Sequence, residues 1–189
     1  MSKKVILILR LELLIMEQNL LSILNIDSSR LTADIALEAI EGDPDKVAEV
    51  IKIAFTTKPP LNWRAARVIS FCCDKYPDLV VPYVNEVAEK YPNFKNDALK
   101  RCFAQVLFKN VKHISLDNKG ILIDYCFKQM SGPDKMAVKY NAMILLYNIS
   151  EDIPDIKGEL LAVIEHNIAI KNFTMNGKIR DVVLKLLEE

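Results

Sequence analysis

Along most of this chain, apolar residues return every three or four positions. In VPYVNEVAEKY (81–91), Val84, Val87, Ala88 and Tyr91 share one helical face with Val80 just upstream, while Asn85, Glu86 and Glu89 lie away from it. In MAVKYNAMILLYNI (136–149), Val138, Ala142, Leu145, Leu146 and Ile149 do the same. No comparable stretch alternates with period two, so no strands are expected. The pattern predicts helices over 4–24, 30–41, 44–56, 61–76, 78–91, 94–110, 116–130, 134–150, 154–171 and 175–188, joined by connections of a few residues. Proline-aspartate pairs at Pro44-Asp45, Pro77-Asp78, Pro133-Asp134 and Pro154-Asp155 read as helix starts. Proline loses nothing in the first turn, where its missing N–H would be unpaired, and an acidic neighbour there suits the helix dipole.

A longer period is superimposed on the helical one. Arg64 in NWRAARVI, Lys100 in ALKRCFAQVL, Lys139 in AVKYNAMILL and Arg180 in KIRDVVLKLL each follow an apolar residue and open a run of small and large aliphatics. They lie 36, 39 and 41 residues apart, the spacing of two-helix repeats that bury their apolar faces by stacking. This pattern resembles the second helix of HEAT and armadillo repeats, where an apolar-basic pair precedes an Ala/Leu-rich run. WRAARVISFCCDKYPDLVVPYV (63–84) is similar to HEAT units even to the Pro-Asp-Leu opening the next helix. The resemblance covers about residues 30–188 and rests on loose motifs. It implies an all-α fold, a right-handed α-α superhelix of about ten helices, built as a single repeat domain over 30–189. A generic helical bundle is the alternative source of the same periodicity.

The N-terminal stretch MSKKVILILRLELLI begins like a secretory leader, but Arg10 and Glu12 interrupt its apolar run. It is also too short and charged to span a bilayer. Residues 1–29 are therefore expected to form an apolar capping helix. Alternatively, residues 1–15 are an extension preceding a start at Met16, or dock on a partner or a second copy. Four cysteines without C-x-x-C spacing, in apolar helical contexts, point to a reducing, cytoplasmic compartment.

Charge narrows the partners. The chain carries 12 basic and 13 acidic residues up to Lys95, then 13 and 12. With neither tail nor imbalance, its overall field would not attract nucleic acid or an anionic membrane.

Candidate chemistry is sparse. Cys72 and Cys73 point about 100° apart on a helix, so they cannot easily share a metal or form an unstrained disulfide. No histidine is near them in sequence to act as base, and they read as core. His113 and His166 lack zinc spacing and cysteine neighbours. Phosphate loops, nucleophile elbows and zincin motifs are missing from the sequence. EGDPD (41–45) reads as a turn and N-cap rather than a calcium loop, and NGKIRD (176–181) as an ordinary helix start. No catalytic residue, cofactor or metal is expected.

The basic residues remain. At equivalent places in stacked repeats, Arg64, Lys100, Lys139 and Arg180, with Arg67 and Arg101 beside two of them, would line one surface as a ridge for an acidic peptide or a phosphate backbone. Alternatively, each pairs with an acid in a neighbouring turn and stabilises the stack. The resemblance implies a non-enzymatic scaffold with a protein or peptide partner. The alternative it also implies is a nucleic-acid-binding or base-excision protein, because HEAT-like DNA glycosylases that remove alkylated bases share the architecture. Trp63-Arg64 would then stack a base and hold a phosphate, although Trp63 reads more simply as a core anchor.

Overall fold

Helix starts in this chain are set by short polar side chains that take the free N–H groups of a first turn. The computed structural model describes residues 19–171, Phe173 and 177–187; the stretch 1–15 lies outside the described residues. Asn19 accepts from Ser22 N–H and opens α1 (Leu20–Ile26), Ser29 accepts from Thr32 N–H and opens α2 (Arg30–Ile40), and Asp43 accepts from Asp45 N–H and opens α3 (Pro44–Thr56). The turn EGDPD links α2 to α3 as expected: Glu41 and Gly42 take positive φ of 53° and 75°, and Pro44 occupies the first helical turn. Gly42 suits that conformation and lies against the Tyr76 ring.

The first compact unit, which ends at Tyr83, continues through α4 (Leu61–Lys75) and a short α5 (Pro77–Val80). Helix α4 packs against α1, α2, α3 and α5. Its inward face, Ala65, Ala66, Val68, Ile69 and Cys72, is fully buried. Each large aliphatic buried this way stabilises the unit by about 1.5–3 kcal/mol.

The second unit runs from Val84 and is described to Leu187. It contains α6 (Val84–Lys90), α7 (Asp97–Lys109), α8 (Leu116–Ser131), α9 (Met136–Ser150), α10 (Lys157–Ala169) and α11 (Gly177–Leu187). Asn96 and Ser115 cap α7 and α8. Helix α9 packs on α7, α8 and α10 and is buried nearly all round, from Val138 to Ser150. Among the described residues there are helices, 3-10 turns and loops, and no strand. The all-α helical repeat expected from the sequence is what the chain forms.

Several element boundaries differ from expectation. Helix α1 starts at its Asn19 cap, within the helix expected over 4–24; α7 starts after its Asn96 cap rather than at 94; and Pro154-Asp155 opens a 3-10 turn, Pro154–Ile156, ahead of α10. The helix expected over 78–91 is broken by a 3-10 turn at Val81–Tyr83. Pro82 has no N–H to continue the α ladder, and the boundary between the two units falls at this break. Pro133-Asp134 does not open a helix: α9 starts at Met136, and the Asp134 carboxylate turns instead to Lys100. Gly132 passes so close to the Lys128 carbonyl that a Cβ would sit 2.9 Å from its oxygen, which lets this loop fold tightly over the end of α8.

Candidate functional site

Two of the expected basic residues converge on one loop of the first unit. Arg64 donates through Nη1 to the Leu24 carbonyl (2.9 Å) and through Nε to Ser28 Oγ (3.0 Å). Arg67, one turn on, donates through Nη1 to the Ser28 carbonyl (2.9 Å). The guanidinium of Arg67 also lies 5.5 Å from the centre of the Phe71 ring, and that of Arg30 lies 4.3 Å from it. Such contacts hold the planar groups in place. Trp63 is half-buried, with Arg64 5.9 Å from its ring centre.

The loop they grip is ordered from within. Asp27 accepts from Ser29 N–H and from the Thr32 hydroxyl. Those bonds, with a smaller contribution from the charge of Arg64, hold its carboxyl below the ordinary 3.8. Asp27, Ser28, Ser29, Thr32 and the two arginines line a small depression with room for about one water molecule. That is enough for one oxygen atom of a ligand, and too little to enclose a substrate.

In the second unit the basic residues take a different kind of partner. Lys100 Nζ lies 2.8 Å from Asp134 Oδ1, with both side chains largely buried. Burial works to lower the Lys100 pKa, yet its bonds to Asp134 and Tyr125 and the nearby charge outweigh that and raise it above 10.5. Lys135 reaches Asp97 at 2.9 Å from the same loop, and Lys119 reaches Asp152 at 2.7 Å. Within the first unit, Lys75 pairs with Glu38 at 2.7 Å in the open. These contacts span 33 to 38 residues, and those of Arg64 and Arg67 span 36 to 40. All are close to the sequence repeat, so each binds one hairpin to the next.

The other expected site residues have separate surroundings. Arg101 is exposed and contributes to holding the Asp97 carboxyl low. Lys139 is only 4% exposed near the start of α9, and Arg180 is exposed on α11. Sequence periodicity gave no sign of Asn85. This side chain accepts from Ser115 N–H and Asn118 Nδ2 and donates to the His113 carbonyl, tying α6 to the loop before α8.

The reactive side chains are placed as core or surface. Cys72 is buried, and loss of water pushes its thiol up to about 12; burial raises Cys126 as well. A thiol held protonated in this way is a poor nucleophile. His113 and His166 are exposed on separate elements. Among the described residues, no group of histidine, cysteine and carboxylate side chains is placed to hold a metal ion. No described helix is long and apolar enough to cross a membrane.

Hairpins joined at one-repeat spacing are what a repeat family requires. The family profile of the HEAT repeat domain matches residues 20–181. The chain belongs to the HEAT repeat family. That match begins at the first residue of α1 and ends within α11, so it takes in helices of both units. No curated protein and no solved structure matches the chain. In a HEAT repeat protein each hairpin depends on its neighbours for burial, and the polar bonds just described add direction to that stacking.

Proposed function

We propose that this HEAT repeat protein is a non-enzymatic scaffold that binds a protein or peptide partner on its repeat surface, in a reducing, cytoplasmic compartment. The observation that carries the reading is the unbroken family match over 20–181. Stacked hairpins offer extended surface rather than an enclosed site. Most buried polar groups among the described residues are paired inside the fold, which suits a structural frame. The four free cysteines, three of them buried, support the compartment.

A nucleic-acid-binding or base-excision role is the second reading, and the position of Arg64 beside Trp63 is what favours it. Against it, the chain has no net charge, so its overall field does not draw nucleic acid. Reconstitution tests the two together. A partner captured by cross-linking to the full chain in its source cells is purified, and its binding is measured by calorimetry beside that of a fluorescent DNA duplex. The scaffold reading expects a saturable protein complex that persists at moderate salt. Salt-sensitive duplex binding without any such complex would overturn it.

A further inference from the structure

The bonds of Arg64 and Arg67 differ from those of the lysines in one respect that bears on ligands. Lys75, Lys100, Lys119 and Lys135 each face a carboxylate that cancels their charge. Arg64 and Arg67 donate to two backbone carbonyls and one hydroxyl. Among the described residues, neither makes an ion pair. Their position is thereby set without their charge being neutralised. Asp27 offsets part of the Arg64 charge, although its bonds go to Ser29 and Thr32; Arg67 has no such neighbour among its described contacts. A guanidinium has five N–H donors. The bonds given above use two on Arg64 and one on Arg67, so donors remain on both.

From this we infer that the α4 face of the first unit is the docking point for an acidic segment of a protein partner. One carboxylate of that segment would take the remaining N–H donors of Arg67, away from the Asp27 side of the depression, and an apolar side chain would lie against the exposed part of Phe71. Charge complementarity selects an acidic occupant. The shape of the site favours a peptide carboxylate: planar forks fixed by cation–π contact match a carboxylate two oxygens at a time. Preorganisation matters because neither arginine must lose side-chain freedom when the ligand arrives. Arginine and aromatic residues held in this way are the types that dominate protein interfaces. This inference rests on the scaffold reading and narrows it to a surface and a partner chemistry.

The test uses the full chain and three fluorescein-labelled probes: a peptide alternating glutamate with phenylalanine, the same peptide with glutamine for glutamate, and a single-stranded oligothymidylate. Fluorescence anisotropy at low salt should show saturable binding of the glutamate peptide, with the glutamine peptide at least about tenfold weaker. Arg67→Ala should weaken the glutamate peptide by about tenfold, and Arg67→Lys should restore only part of that, since lysine lacks the fork. Lys112→Ala, which removes an exposed cation of the other unit, should leave binding unchanged. Circular dichroism melting of each variant shows whether it is folded. Phe71→Leu provides a second route, as it keeps apolar volume but removes the ring that holds Arg67. It should weaken the peptide measurably in a folded protein. Equal binding of the glutamine peptide, indifference to Arg67→Ala in a folded variant, or tighter binding of the oligothymidylate would overturn the inference. If the cross-linked partner still binds Arg67→Ala with unchanged affinity, the docking point fails while the scaffold reading stands.

Discussion

Arg64 on α4 and Lys100 on α7 open similar sequence runs, yet they do unlike work. Arg64 reaches back 40 residues to a carbonyl and 36 to a hydroxyl, and Lys100 reaches forward 34 residues to a carboxylate. The lysine is a point charge that must be neutralised once it is largely buried. The arginine spreads its charge over a planar fork that can bridge neutral oxygens while remaining partly exposed. The arginine joint does not depend on a titrating partner and leaves cationic donors over. The lysine joint pairs its charge with a carboxylate. A repeat position can therefore keep its mechanical role while changing what it offers to a ligand.

Removing the carboxylate should hurt the lysine joint most. Asp134→Ala leaves Lys100 largely buried with its main partner gone, and should cost about 2 kcal/mol in urea denaturation. Adding Lys100→Met to that background should recover most of the loss, because an apolar side chain of similar length needs no partner. An unrecovered double variant would mean that Lys100 has further partners that matter as much as Asp134.

On the arginine side the expected cost is smaller and the chemistry less forgiving. Arg64→Ala should cost about 1–2 kcal/mol, the worth of two partly exposed bonds from a charged donor. Arg64→Lys should recover less than half of it, since one ammonium cannot span the Leu24 carbonyl and Ser28 Oγ in the same geometry. Full recovery by lysine would remove the distinction between the two joints.

Titration separates the joints next. Lys100 has a folded pKa raised above 10.5, so its contribution is whole below that pH and fades as pH rises past it. The stability gap between wild type and Lys100→Met should narrow above pH 10.5, and the gap for Arg64→Ala should not, because arginine stays charged. In acid the sign reverses. The Lys135 bond and charge hold the Asp97 carboxyl below 3.8, with Lys100 and Arg101 assisting, so its contribution is present above that pH and lost as pH falls beneath it. Asp97→Asn should flatten the acid limb of the stability curve only slightly, because Lys135 is 81% exposed and the pair is screened. The least effect of all is expected at the open Lys75–Glu38 pair, where Glu38→Gln should leave the denaturation midpoint unchanged.

Much of the fold was legible because its punctuation is local. Ser29, Asp43 and Ser115 sit three or fewer residues from the N–H groups they cap, and the apolar faces of 80–91 and 138–149 are buried; the Asn96 cap was passed over by a helix expected from 94. Pro82 was the local signal that the pattern overrode: the apolar period runs through it, but the hydrogen-bond ladder cannot. The candidate site was legible only as a set of equivalent positions. Whether a basic residue meets a carbonyl, a carboxylate or solvent depends on an element 33 to 40 residues away and on the register of the hairpins. Equal spacing could not reveal that Lys139 lies in a helix buried nearly all round while Arg180 is exposed. Nor could it show that Asp134 would serve Lys100 rather than open α9.

If Arg64 and Lys100 hold successive hairpins together, α1 is where loss of such a joint shows most. With seven residues, α1 is too short to persist alone, and its Leu24 carbonyl is held by Arg64 from α4. Residue-resolved hydrogen exchange on Arg64→Ala, at a temperature where the variant remains folded, reads this directly. The account predicts faster exchange across Leu20–Ile26 and the following loop, with α7 to α9 unchanged. Unaltered protection of α1 would contradict it.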